Sequence, residues 1–180
     1  MKYQKLKIIL FFFIISIATV PYTFGRSDND LNQYKYAKEL IKYFNSKFKE
    51  CRVISLSDYS EETLHYSKPT ILLTADFDGN GYEDICLIVK CGTNIFKVIA
   101  FHKNKDGFKH YVLESIDNIE ITRSTLGLEG PGMVIISMAD EKRKKIKISN
   151  KAIRIEWIET CYDQIYIWDK IKYISYYRGA

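Results

Sequence analysis

From Arg52 onward the chain is built of short runs of β-branched and aromatic residues alternating with polar ones, separated by turn sequences at hairpin spacing. Alternation of period two puts successive side chains on opposite faces of a strand. It predicts strands at 52–56, 70–75, 84–91, 95–102, 109–114, 133–138, 144–149, 152–158, 163–168 and 171–177. Cys91-Gly92-Thr93-Asn94, Lys105-Asp106-Gly107, Ser149-Asn150-Lys151 and Asp169-Lys170 are the turns between them. Connections this short favour antiparallel pairing, because a parallel crossover takes about a dozen residues or more. Helical spacing occurs earlier, in 31–49, where Leu31, Tyr34, Leu40, Ile41, Phe44 and Phe48 fall near one stripe and Asp28 or Asn29 stands in position to cap. The expected fold is therefore α+β, mainly β, with an N-terminal amphipathic helix packed on an antiparallel meander sheet. Residues 123–132, RSTLGLEGPG, concentrate glycine and proline and are expected to form the longest ordered loop.

The first residues set the compartment. Lys2, Lys5 and Lys7 precede an unbroken apolar run from Ile8 to Val20, and Pro21, Thr23 and Gly25 follow. That order of charged, apolar and small residues marks a secretory signal peptide over 1–25, cut after Gly25, with 26–180 as a single globular exported domain, periplasmic or secreted. The apolar run makes about 20 Å of helix, short of the roughly 30 Å hydrocarbon core, so no stable membrane anchor is expected. Removing three lysines lowers the formal charge from +5 to +2, and nucleic acid is not implied as a partner. Cys51, Cys86, Cys91 and Cys161 all lie in the mature part, an even number that allows two disulfides in three pairings. Cys86 and Cys91 share a predicted strand and are too far apart along it to bond each other, so each is expected to take a distant partner, with free buried thiols as the alternative.

One loop carries chemistry. In Thr74-Ala75-Asp76-Phe77-Asp78-Gly79-Asn80-Gly81-Tyr82-Glu83-Asp84, oxygen-bearing side chains fall at positions 1, 3, 5 and 9 counted from Asp76, namely Asp76, Asp78, Asn80 and Asp84, and Tyr82 offers its carbonyl at position 7. Such ligands converge on one hard cation when the chain turns sharply, and Gly79 and Gly81 supply the turn. Position 12 is Leu87 and the flanks read as strands, which excludes an EF-hand. The segment Ile71 to Val89 resembles the calcium loops of FG-GAP or VCBS repeats, with a weaker echo over 95–113. The resemblance implies that Asp76, Asp78, Asn80, Tyr82 and Asp84 bind Ca2+. It departs from the family in two respects: there is a single copy, where propellers need several, and Asn80 stands where many members carry Asp. The alternative is an Asp/Gly turn held by its own side-chain to backbone hydrogen bonds.

Other constellations are weak. His65, His102 and His110 have no metal spacing and no nucleophile motif beside them, and His102 and His110 are expected to form a cross-strand surface pair. Glu156 and Glu159 are placed on opposite faces of a strand, which argues against paired acid and base work. Glu141-Lys142-Arg143-Lys144-Lys145 reads as a solvated hairpin tip, or else as a patch for an acidic partner. Trp157, Tyr162, Tyr166, Trp168, Tyr173, Tyr176 and Tyr177 alternate as a sheet core would, leaving some as interface anchors. The mature chain is similar to small exported bacterial proteins with one such Asp/Gly loop and a terminal Trp/Tyr-rich strand pair, some of which look like inhibitors or immunity proteins. The expected role is a non-enzymatic binding module with a calcium loop, an inhibitor or immunity-type protein for a secreted toxin or hydrolase. An exported hydrolase and a structural envelope protein are the alternatives. Expressed with its own leader in a bacterial host, the protein is expected outside the cytoplasm with Arg26 at its amino terminus; intact mass spectrometry showing retained Met1 in the cytoplasm would overturn the leader.

Overall fold

The computed structural model describes residues 31–116, 123–137, 143–158, 160 and 162–178; the expected leader, the caps Asp28 and Asn29, Cys161 and Glu159 lie outside them. Among the described residues the chain is mainly β, with eleven strands in two antiparallel sheets where a single meander is expected from sequence. No helix among them is long and apolar enough to cross a membrane.

The first sheet contains β1 (Cys51–Val53), β2 (Leu72–Ala75), β3 (Asp84–Cys91), β4 (Ile95–Asn104) and β5 (Gly107–Ile116). Its order is β1-β3-β4-β5, and β2 lies beside the first half of β3 on the edge that β1 takes beside the second half. β3 reads as an almost continuous apolar run because both of its faces are covered. Ile85, Leu87 and Val89 pack with Leu40 and Phe44 of the helix α1 (Ala37–Lys47), while Cys86 and Ile88 pack with Ile153, Ile155 and Tyr166 of the second sheet. All five of these β3 side chains are fully buried. Each apolar side chain so placed stabilises the fold by roughly 1.5–3 kcal/mol. The helix begins at Ala37 rather than at residue 31, and Leu31–Gln33 form a separate 3-10 turn. A second short helix, α2 (Glu61–Tyr66), is capped by Ser60, whose hydroxyl accepts the Thr63 N–H at 3.1 Å.

The second sheet runs β6-β9-β10-β11-β7-β8, from β6 (Ser124–Glu129), β7 (Gly132–Ser137), β8 (Arg143–Ile148), β9 (Ala152–Trp157), β10 (Asp163–Trp168) and β11 (Tyr173–Arg178). Its first and fifth strands are consecutive in the chain, so the sheet curls. Glu129 faces Ala152 and Gly132 faces Ile148. The β6–β7 arm and the β8–β9 arm are thus one long ribbon, bent at Gly130-Pro131 on one side and at 149–151 on the other. Inside the curl, Arg154 bonds Glu129 and Glu156, and Arg178 bonds Glu129 and Asp163, linking four strands.

Two sequence expectations fail here. The segment 123–132 is not a wide loop but mostly β6, with Leu126 and Leu128 packed against the main core. Its Gly127 is explained by its neighbours: a Cβ there would collide with the Glu156 carboxylate and lie 3.1 Å from Arg154 Nε. Cys86 has no distant partner; it is a free thiol buried in the core, and burial pushes its pKa far up.

Cys91 does pair, with Cys51 directly opposite it on β1, their Cα atoms 4.0 Å apart. This bridge closes a loop of 40 residues that holds α2 and β2, worth about 4 kcal/mol by loop entropy. Reduction, or Cys51→Ser with Cys91→Ser, is expected to lower the unfolding free energy by about 3–4 kcal/mol in urea titration. An unchanged midpoint would show that the bridge contributes nothing.

Candidate functional site

The eight residues between Ala75 and Asp84 close the β2–β3 hairpin, and their side chains fold the loop around its own backbone. Asp76 Oδ1 accepts the Gly79 N–H at 2.7 Å and the Asn80 N–H at 3.0 Å, and Oδ2 accepts the Gly81 N–H at 2.9 Å. Asp78 Oδ1 accepts from Asn80 N at 3.0 Å, and Asn80 Oδ1 accepts from Tyr82 N at 2.7 Å. So tight a coil needs positive φ at Gly79 (+77°) and Gly81 (+84°), where residues with a Cβ are strained. At Gly79 a Cβ would also lie 2.8 Å from Asn150 Nδ2.

Asp84 anchors the loop from below. It is fully buried, its Oδ2 accepting from Phe77 N at 2.9 Å and its Oδ1 from Lys103 N at 2.8 Å. Lys103 on β4 also accepts Asn80 Nδ2 at its carbonyl, 2.9 Å away, while its ammonium turns to Glu39 of α1. Tyr34 donates to the Glu83 carbonyl at 2.5 Å. Phe77 is driven into the core between the sheets. The loop is braced by β4, by the chain leading into the helix and by the second sheet.

Sequence reasoning missed one member of the site. His102 is 3% exposed, with Nδ1 3.2 Å from Asp78 Oδ2 and Nε2 2.7 Å from the Tyr173 hydroxyl. Asp78, Asp84 and His102 bring one ligand atom each within 4.8 Å of one another. His102 and His110 do not form a surface pair: they sit at adjacent registers and take opposite faces, His102 against Tyr111, Trp168 and Tyr173, His110 against Tyr43 and Phe48. The period-two rule applied to 95–102 and 109–114 contains that parity, and what sequence lacks is the second sheet that covers His102.

Burial dominates the electrostatics. It pushes the Asp84 carboxyl up to about 7 against the pull of the Lys103 and Phe77 N–H bonds. It raises Asp78, helped by the neighbouring Asp76 charge, and drops His102 to about 4, so the imidazole is neutral at pH 7. Among the described residues no lysine or arginine pairs with Asp76, Asp78 or Asp84. The site is a partly buried cluster of acids beside a neutral ring. Tyr82 is exposed at the rim.

Three substitutions test this geometry. Tyr173→Phe leaves His102 Nε2 buried without its partner and is expected to cost about 1–3 kcal/mol in urea titration. Gly79→Ala is expected to cost more than Gly81→Ala, because only Gly79 adds a collision with Asn150 to the strain of positive φ. Equal costs would mean the Asn150 contact yields freely. No family model, no curated protein and no solved structure matches the chain, so the chemistry of the site rests on its own geometry.

Proposed function

We propose that the 76–84 loop holds a calcium ion, and that the domain is an exported, non-enzymatic binding module whose partner is a protein, an inhibitor or immunity-type role toward a secreted toxin or hydrolase. The observation that carries the cation is the approach of Asp78 and buried Asp84, with His102, to within 4.8 Å of one another, with no lysine or arginine paired to either acid among the described residues; Asp76 is outside that group and caps the loop's N–H groups. Uncompensated buried carboxylates are costly, and a hard cation relieves them. Asp76 Oδ1 already accepts two backbone N–H groups, but Asp76 Oδ2, Asp78 Oδ1 and both Asp84 oxygens each accept one and keep a second lone-pair direction for an ion. Asp76, Asp78, Asp84, the Asn80 amide oxygen and the Tyr82 carbonyl are the oxygen set for calcium, with His102 behind Asp78 as an orienting neighbour. The ion's contribution is charge neutralisation and stiffening of the hairpin, because metal binding of this kind is coupled to folding.

Export is supported by the charge and hydropathy order of the first residues and by the Cys51–Cys91 bridge, which belongs to an oxidising compartment. Thermal unfolding with excess calcium and with chelator tests the site. At a free calcium concentration of 100 times Kd the stabilisation is about 2.7 kcal/mol, a rise in Tm of roughly 5–10 °C. Asp76→Ala and Asp78→Ala are each expected to abolish the rise. No calcium-dependent shift in the unsubstituted protein would reduce the loop to a hydrogen-bonded turn.

A further inference from the structure

The edge of the second sheet at β8 has a composition unlike the rest of the molecule. Arg143, Lys144, Lys145 and Lys147 are all exposed, and β8 pairs only with β7 among the described strands. The opposite edge, β6, is attached to the first sheet, with Leu126 N donating to the Thr70 carbonyl at 2.9 Å and Thr70 N to the Thr125 hydroxyl at 2.8 Å. None of the four cations of β8 pairs with an acid among the described residues. β7 beside it has no acidic residue and exposes Met133 (63%) and Ile135 (49%), facing Lys147 and Lys145 across the ladder. Charge alone suffices to protect an edge from self-pairing. Large apolar side chains left open between those charges serve contact rather than solubility.

We infer that β8, with the adjoining face of β7, is the docking site for an acidic extended segment of a partner protein, which adds to the sheet as a further strand. The distribution of charge favours a strand over a flat surface. Arg143, Lys145 and Lys147 share the face of Ser137, Ile135 and Met133, whereas Lys144 lies opposite Ile136 and takes the other face. An anionic membrane meets one face only. A strand added at the edge sends its own side chains alternately to both faces, so carboxylates on either side find a cation and apolar residues meet Met133 and Ile135. The backbone edge of β8, unpaired among the described residues, supplies affinity, and the cations supply selection for acidic sequence and a salt-sensitive on-rate. This assignment rests on the reading of the domain as a protein-binding module and is independent of the cation loop, so loss of the calcium response would leave it standing.

The test uses the mature domain and a short synthetic peptide of valine and threonine with glutamate at both odd and even positions, so that each face of the added strand carries acid. Amide chemical-shift changes on titration are expected to map to β7 and β8, binding is expected to weaken as salt rises, and Lys145→Glu with Lys147→Glu is expected to reduce affinity by about tenfold or more. A peptide with lysine in place of glutamate is expected to bind the doubly substituted domain better than the original one. Shifts that map elsewhere, affinity indifferent to the charge reversal, or no peptide binding at low salt would overturn the inference. So would binding to vesicles of phosphatidylglycerol and phosphatidylcholine with none to the peptide, which would assign the patch to a membrane surface. The shift map on the unsubstituted domain keeps the test decisive if the charge-reversed variant folds poorly.

Discussion

Coverage of β3 on both faces is the constraint from which the remaining architecture follows. A strand carrying Ile85, Cys86, Leu87, Ile88 and Val89 in succession has no polar face to give to water, so it requires a layer on each side. α1 supplies one and the curled second sheet the other. The disulfide pins β1 to the far end of β3, and the Asp/Gly loop enters at the near end. Asp84 is both the last residue of that loop and the first of the buried strand. The acid is therefore carried into low dielectric by the strand's own packing, which is why burial raises its carboxyl to about 7.

This arrangement ties the loop to elements far from it in sequence. Lys103 on β4 binds it at two backbone points, Asn150 reaches Phe77 from the corner of the bent ribbon, and Tyr173 holds the ring behind Asp78. Such bracing fixes the positions of the acids, so the cation proposed for them would pay less to order the loop than it would in a loose turn. It also makes the loop sensitive to how the two sheets seat on each other, because His102 belongs to one sheet and its hydroxyl partner to the other.

Much of this was legible in the amino-acid sequence where local chemistry decides the outcome. The strand expected at 163–168 coincides with β10, and that at 84–91 with β3, because β-branched density and sharp turns bound both. The acids of the loop were legible for the same reason, since glycine spacing and odd-numbered oxygens are local properties. What escaped was set by contacts between distant segments. Gly127 looked like loop punctuation because Arg154 and Glu156, which require the absence of a side chain there, lie more than two dozen residues away. His102 looked like a surface residue because nothing in 95–113 announces Trp168 and Tyr173. Cys51 opposite Cys91 follows only from the register of β1, a strand of three residues.

The free thiol of Cys86 has a consequence for what happens when the domain comes apart. In the folded state it is sealed from solvent, and burial keeps it protonated, so it is inert beside an intact disulfide only five positions along the same strand. Unfolding removes both protections at once. The exposed sulfur regains ordinary acidity, becomes a thiolate in mildly alkaline solution, and attacks either half of the Cys51–Cys91 bridge. The exchange leaves chains cross-linked in the wrong register, which cannot rebuild a sheet whose edge depends on Cys51 meeting Cys91. Refolding of this domain thus depends on its thiol chemistry staying silent, and the core residue that packs so quietly helps to set how long an unfolded chain can wait before its way back is lost.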